Sequence, residues 1–393
     1  MARKRIIAIG AIARDVILTV PHFPVEDSKL RATSCTSRRG GNVGNTLEVL
    51  QRILSVDTHL AISGSSSDGR ALPHDGDLLL IAALPSKTSP QTQSIALSFG
   101  RHLYAPARTG SSGRCMPAVD LQYCLHREDC LDPMTAYIIS SASTSSRTIV
   151  NHNPIPEMTF DEFVWITDRI VNTAKASEET IDELWFHFEG RNPETTAQCM
   201  RYIRWHLARS GSPGTEQYWI SVELEKPGRA GLQELTQYAD VVFYSRSWAE
   251  GTGYTSASDC LLQQAIALGA PALESVPAPH DHDRLLVCTW GSDGACSLFV
   301  NKPSSTTNAT PSIVRSPAHI SDEPIVDSTG AGDTFIAAML YAVVYRGLLE
   351  SDSHGSWSQE QALEFANKLA GNKILQDGFQ GLAAVAEDLL AAD

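Results

Sequence analysis

Apolar positions in this chain alternate between two periods. Residues 5–20, RIIAIGAIARDVILTV, carry an apolar run, a Gly-containing break and a second extended piece. That pattern predicts a buried strand followed by a half-buried one. In residues 42–54, NVGNTLEVLQRIL, Val43, Leu47, Leu50 and Leu54 recur at helical spacing and predict an amphipathic helix. Further short runs rich in β-branched and aromatic residues lie at 136–141, 147–152, 184–190, 218–224, 240–245 and 284–290. Helical segments are predicted between the later runs, at 193–209, 229–238 and 256–268, and after them at 333–346 and 358–374. Strands alternating with helices predict a mostly parallel sheet covered on both faces.

One region breaks the pattern. From about Pro73 to Pro117 the chain is rich in Ser, Thr, Pro and Gly, and only LLLIAALP suggests an element. An irregular insertion is expected there, not part of the active site and poorly packed. Replacing it with a short helical linker is expected to raise soluble yield. A structureless stretch of this length is unusual in a compact domain, so a translated non-coding segment is the favoured origin.

Composition narrows the classes. The chain has 393 residues, 42% hydrophobic and 19% charged, with a formal net charge of −14. This is the balance of a folded globular protein. The acidity disfavours a general nucleic-acid or anionic-membrane surface. The basic start, MARKRIIAIG, leads into a short apolar run without a small-residue cleavage site, and reads as a strand, not a leader. No apolar run reaches 18 residues. The eight cysteines are scattered with no CxxC pair, so reduced thiols and a cytoplasmic location are expected. His280, Asp281 and His282 cluster in a Pro-rich stretch without a further ligand at suitable spacing; a plain loop is expected, not a metal site.

The chemistry concentrates in VDSTGAGDTF, residues 326–335. Gly330, Ala331 and Gly332 leave bare backbone at the mouth of a predicted helix, and Asp333 follows at once. Unpaired first-turn amides and the helix dipole make an anion hole. An acid beside it would repel a bound phosphate, yet it suits a base that takes a proton from a hydroxyl while the amides hold a transferring phosphoryl group. A bland reading is a tight turn with an Asp cap; the full string before an apolar helix favours chemistry. A Walker-type GxxxxGK[ST] is absent, as is the HRD and DFG set of protein kinases. In RRGGNVGN, residues 38–45, Asn42 and Asn45 are spaced to project together from a first helical turn, and their amides suit neighbouring sugar hydroxyls. A glycine turn with an Asn cap explains the same residues. Asp15 is a third polar candidate.

DSTGAGDTF paired with GGNxxN resembles the PfkB (ribokinase-like) family of carbohydrate kinases. HFEGRN (187–192), SVELEKP (221–227), DVVFYSRSWAE (240–250), LLVCTWGSDGA (285–295) and AGNKILQDGFQGL (370–382) look like its ketohexokinase, or fructokinase, branch, and FPVEDSKLR (23–31) resembles the clasp segment of that branch. The resemblance covers most of the chain outside 73–117. It implies one α/β domain over 1–393: a three-layer α/β/α fold with a central mostly parallel sheet and a small β-clasp lid, from about 13–35 and 134–152. It implies ATP-dependent phosphorylation of a sugar, D-fructose giving fructose 1-phosphate, with Asp333 as base and the 330–332 backbone as anion hole. Asp15, Gly41, Asn42 and Asn45 are implied to hold the sugar. Arg147 and the loop Gly291, Ser292, Asp293 and Gly294 are implied to meet the nucleotide. Asp27 is implied to reach the sugar site of a neighbour in a homodimer joined through the clasp. ATP, Mg2+ and a monovalent cation (K+) are the implied cofactors. The NxxE motif that organises magnesium in many members is missing from YSRSWAE, which leaves Glu223, Glu225 and Glu250 as candidates for that role. Other acceptors (ribose, another sugar, a nucleoside) and a non-catalytic sugar-binding descendant stay open.

Overall fold

The computed structural model describes residues 3–62, 77–100, 117–144, 146–176, 181–207, 217–269, 283–300, 312–349 and 356–392. The His280–His282 cluster and Cys115 lie outside them. A central sheet of nine described strands forms its middle layer. Its parallel part runs β6 (Val119–Asp120), β4 (Leu78–Ile81), β1 (Arg3–Ile9), β10 (Ile181–Glu189), β11 (Gln217–Leu224), β12 (Val241–Tyr244) and β13 (Arg284–Thr289); β14 (Ala295–Val300) and β15 (Ile313–Ser316) add an antiparallel edge.

Side chains alternate across a strand, and the core divides accordingly. Ile6 and Ala8 of β1, with Leu78 and Leu80 of β4, face α1 (Asn42–Ile62), α7 (Ala331–Tyr345), α8 (Gln359–Lys373) and α9 (Leu382–Ala391). Ile7, Ile9, Leu79 and Ile81 face the other layer, α3 (Phe160–Ala176), α4 (Pro193–Tyr202), α5 (Arg246–Thr252) and α6 (Ala257–Gly269). The expected three-layer α/β/α arrangement is therefore present. The helix expected at 193–209 ends at Tyr202 and passes into a π-turn, Ile203–Leu207. The one expected at 229–238 is a short 3₁₀ turn, Gln233–Tyr238. α3, whose Phe163, Ile166 and Ile170 are buried at helical spacing, was not among the predicted helices.

A second sheet, β3 (Ser34–Gly40), β2 (Ala13–Val20), β8 (Met134–Ser141) and β9 (Arg147–His152), leans over the C-terminal ends of the central strands. It matches the expected clasp, with β3 extending it to Gly40. Asp15 lies within β2.

The reading of 73–117 as irregular is corrected by residues 77–100. Leu78–Ile81 pairs in register with Ile6–Ile9 inside the central sheet. β5 (Ala83–Pro85) pairs with β7 (Leu125–Arg127), and α2 (Pro90–Ser98) follows, with Ser89 as N-cap and Pro90 at its start. Ile95, Ala96 and Phe99 are buried against the core. A helix is thus present in this region. It is short, and its Ser-Pro start is a helix-start signal that overall composition concealed.

Candidate active site

The sheet ends and the clasp enclose a cleft of about 430 Å3. The ends of β10, β11 and β13, and Ser245 beyond β12, supply Glu189, Glu223, Ser245 and Thr289. A crevice outside the carboxyl ends of parallel strands is the usual ligand position in such sheets. The clasp contributes alternate residues: Ala13 and Asp15 of β2, Met134, Ala136 and Ile138 of β8, and Arg147, Ile149 and Asn151 of β9.

α7 begins at the cleft floor because Gly330 takes φ 84°, a left-handed conformation that L-residues with side chains resist. A Cβ there would also lie 2.5 Å from the Phe379 ring. Ahead of it, Asp327 Oδ1 accepts from the Thr329 amide at 2.9 Å and shapes the turn. The first-turn amides then have no helical acceptors. Asp333, 8% exposed, stands beside them. Asn45 Nδ2 donates to Asp333 Oδ2 at 2.7 Å. Burial pushes the Asp333 carboxyl up to about 7; the Asn45 bond and Arg39 oppose the rise, while Glu225 and Glu189 add to it.

Asn42 and Asn45 both line the cleft, but they serve different carboxylates. Asn42 Nδ2 donates to Glu223 Oε2 at 3.2 Å and Glu225 Oε2 at 3.3 Å. Gly41, at φ 94°, lies where a Cβ would be 2.3 Å from the Ala11 carbonyl, so the turn into α1 needs glycine. Burial raises the Asp15 carboxyl, opposed by Arg38 and Arg39. Burial raises Glu223 well above the usual carboxylate range, and neighbouring Glu225 adds to it. Arg147 reaches the turn that precedes α7, donating to Thr329 Oγ1 at 2.7 Å.

The cleft therefore brings together Asp15, Gly41, Asn42, Asn45, Arg147, Gly330, Gly332 and Asp333, with Ala331 as the first residue of α7. Glu223 and Glu225 join them; Glu250 does not line it and pairs with Arg246 at 2.8 Å. Gly291–Gly294 forms the turn after β13, just beyond the lining residue Thr289, and is not itself in the lining. Asp27 sits on an exposed turn of the clasp, at φ 59°, outside the cleft of its own chain.

Arg39 escaped the sequence reading. It donates to Asn45 Oδ1 at 3.1 Å, pairs with Glu48, and its guanidinium lies 4.8 Å from the centre of the Phe99 ring. Through Asn45 it orients Asp333, and Phe99, which does not line the cleft, backs its guanidinium. Only its place at the buried end of β3, just before the glycine turn, could have marked it.

The chain is similar to known proteins over its whole length. A ketohexokinase from Mus musculus is 25% identical over 387 residues, covering 97% of this chain and 100% of the relative. A ribokinase from Giardia lamblia superposes with a TM-score of 0.63 at 16% identity, covering 100% of this chain and 99% of the other. An Arabidopsis thaliana ribokinase complexed with ribose and ATP superposes at 0.58, with 16% identity and 99% of each chain covered. These structures share the fold. The profile of the pfkB family carbohydrate kinases matches residues 119–384, and the chain belongs to that family.

Proposed function

We propose that the protein transfers the γ-phosphoryl group of ATP to the 1-hydroxyl of D-fructose, giving fructose 1-phosphate. The observation that carries the phosphoryl-transfer reading is Asp333, buried in the first turn of α7 and fixed by Asn45 at the cleft floor. The full-length likeness to a ketohexokinase supports the choice of fructose. In this reading Asp15, Asn42 and Asn45 hold sugar hydroxyls. Asp333 takes the hydroxyl proton as the oxygen attacks, and the 330–332 backbone meets the charge on the transferring group. Arg147 offers its planar fork to the phosphate oxygens.

Magnesium suits the donors present. Among the described residues no three His, Cys, Asp or Glu are grouped to hold a metal unaided, and Mg2+ commonly binds through one or two carboxylates plus substrate phosphates. Glu223 and Glu225 present such oxygens to the cleft. Bound there with the nucleotide, the ion would neutralise phosphate charge.

ADP release across a panel of fructose, ribose, other sugars and adenosine tests the assignment. Fructose should give the highest kcat/KM, and its product should carry phosphate on the 1-position. A higher value for ribose or adenosine would replace the acceptor while keeping the chemistry. Failure with every acceptor, alongside measurable sugar binding, would favour a non-catalytic descendant.

Asn42→Ala and Asn45→Ala should weaken sugar binding more than ATP binding, as read by titrating each ligand. Asn45→Ala should also move the acid limb of the rate profile to higher pH, because the lost bond favours ionised Asp333. A larger loss of ATP than of sugar affinity would show the assignment to be wrong.

The clasp supports a homodimer in which Asp27 meets the neighbour's sugar. Tyr137 and Val150 pair across β8 and β9 on the face away from the cleft, and are 45% and 58% exposed. Light scattering should report a dimer for the wild type and a shift toward monomer for Tyr137→Glu. A monomeric wild type at micromolar concentration would remove Asp27 from the site.

A further inference from the structure

Lys373 ends α8 and is fully buried, yet phosphoryl transfer as described makes no use of it. Its Nζ donates to Asp327 O at 2.9 Å, Asp327 Oδ2 at 2.9 Å and Gln376 O at 3.4 Å. Burying an ammonium is costly unless oxygens replace its water, and here three do.

Those oxygens belong to the frame of the anion hole. Asp327 accepts the Thr329 amide through its other oxygen and pairs with Arg38 of the clasp at 2.8 Å. The amides of Val326 and Asp327 donate to Ile374 O at 2.8 and 3.1 Å, tying the same turn to the residue after Lys373. The Phe379 ring lies 5.3 Å from Nζ and closes against Gly330 from behind. Burial alone would raise the Asp327 carboxyl; the Lys373 bond, the Thr329 amide and Arg38 outweigh it and hold the carboxyl at about 2. Burial likewise lowers Lys373, and Asp327 opposes that fall.

A free monovalent cation behind the anion hole would need an oxygen cage of this kind. The oxygens present already surround an ammonium, which is close to K+ in size and equal in charge. The residues there do not fit an added K+.

We propose that Lys373 is a positioning residue for phosphoryl transfer: a tethered monovalent cation that sets the Ser328–Gly332 turn and stands in place of free K+. This rests on reading that turn as the anion hole.

Three measurements test it. Wild-type turnover and amide exchange in residues 326–335 should agree within about twofold between potassium chloride and tetramethylammonium chloride at equal ionic strength. Lys373→Met should lose at least about tenfold in kcat with sugar KM changed less than about threefold, and ammonium chloride, not tetramethylammonium chloride, should restore part of the loss. Amide exchange in 326–335 of Lys373→Met should quicken by about tenfold or more while the amides of β10 and β11 keep their rates. A wild type that needs K+ for turnover, or whose turn gains protection when K+ is added, overturns the proposal. So does a Lys373→Met variant with wild-type kcat and exchange. Amide exchange needs no turnover, so it judges Lys373 even if the chain phosphorylates no sugar. Should the variant fail to fold, the two-salt comparison on the wild type still decides.

Discussion

Asp333→Asn should lower turnover by about two to four orders of magnitude, the usual size of a lost general base, while sugar affinity stays within a few-fold. The amide keeps the shape of the carboxyl and can still accept from Asn45, so the cleft floor is retained. What is lost is the proton acceptor. The pH dependence follows from the raised carboxyl. A base near 7 must be ionised to work, so wild-type kcat/KM should rise with pH through about 7 and then level. Stability should run the other way. Because burial raises the folded pKa from 3.8 to about 7, the folded state binds a proton more tightly than the unfolded chain. The contribution of Asp333 to stability is therefore full below about pH 4 and is lost as pH climbs through about 7. Asp333→Asn removes that loss, so the variant should melt above the wild type at pH 8. Turnover within a few-fold of wild type would remove Asp333 from the mechanism, and a lower melting temperature would contradict its buried, proton-favouring setting.

Replacing residues 78–99 with a short linker should abolish soluble folding, the opposite of what composition alone suggested. Leu78, Leu79, Leu80 and Ile81 are each at most 1% exposed in a strand that pairs with β1 and β6. At roughly 1.5–3 kcal/mol per buried side chain, these four contribute as much as the roughly 5–15 kcal/mol net stability of a typical domain. The replacement also removes Phe99 from beneath Arg39 and loosens the Asn45–Asp333 pair. A graded check avoids the all-or-none outcome. Leu80→Ala should cost about 2–5 kcal/mol in denaturant unfolding. A soluble, active linker variant, or an unfolding midpoint unchanged by Leu80→Ala, would show that this strand is dispensable.

The legible parts of the fold were those whose local chemistry agreed with their tertiary role. β10 to β13 are buried on both faces and read as near-continuous apolar runs. α7 follows a glycine that needs φ above zero, and its start was visible as GAGD. α2 was not legible, because only Thr92, Ile95 and Ala96 of its nine residues are buried and no strong period results. Its Ser89-Pro90 start was the available signal. In the site, short polar residues beside glycine turns were readable: Asn42 and Asn45 follow Gly41, and Asp333 follows Gly330, at helix starts that line the cleft. Buried cations were not. Arg39 and Lys373 each carry a charge that pattern reasoning places on the surface, and only the assembled partners, Glu48 and Asp327, explain their burial.

The most direct test is phosphorus NMR of purified protein incubated with ATP, Mg2+ and D-fructose, run beside Asp333→Asn. The account predicts a phosphomonoester resonance that grows in step with ADP for the wild type, coupled to the protons of the fructose 1-position, and no such signal for the variant over the same period. ATP and fructose that persist unchanged with the wild type, or a phosphomonoester formed equally by both proteins, would contradict it.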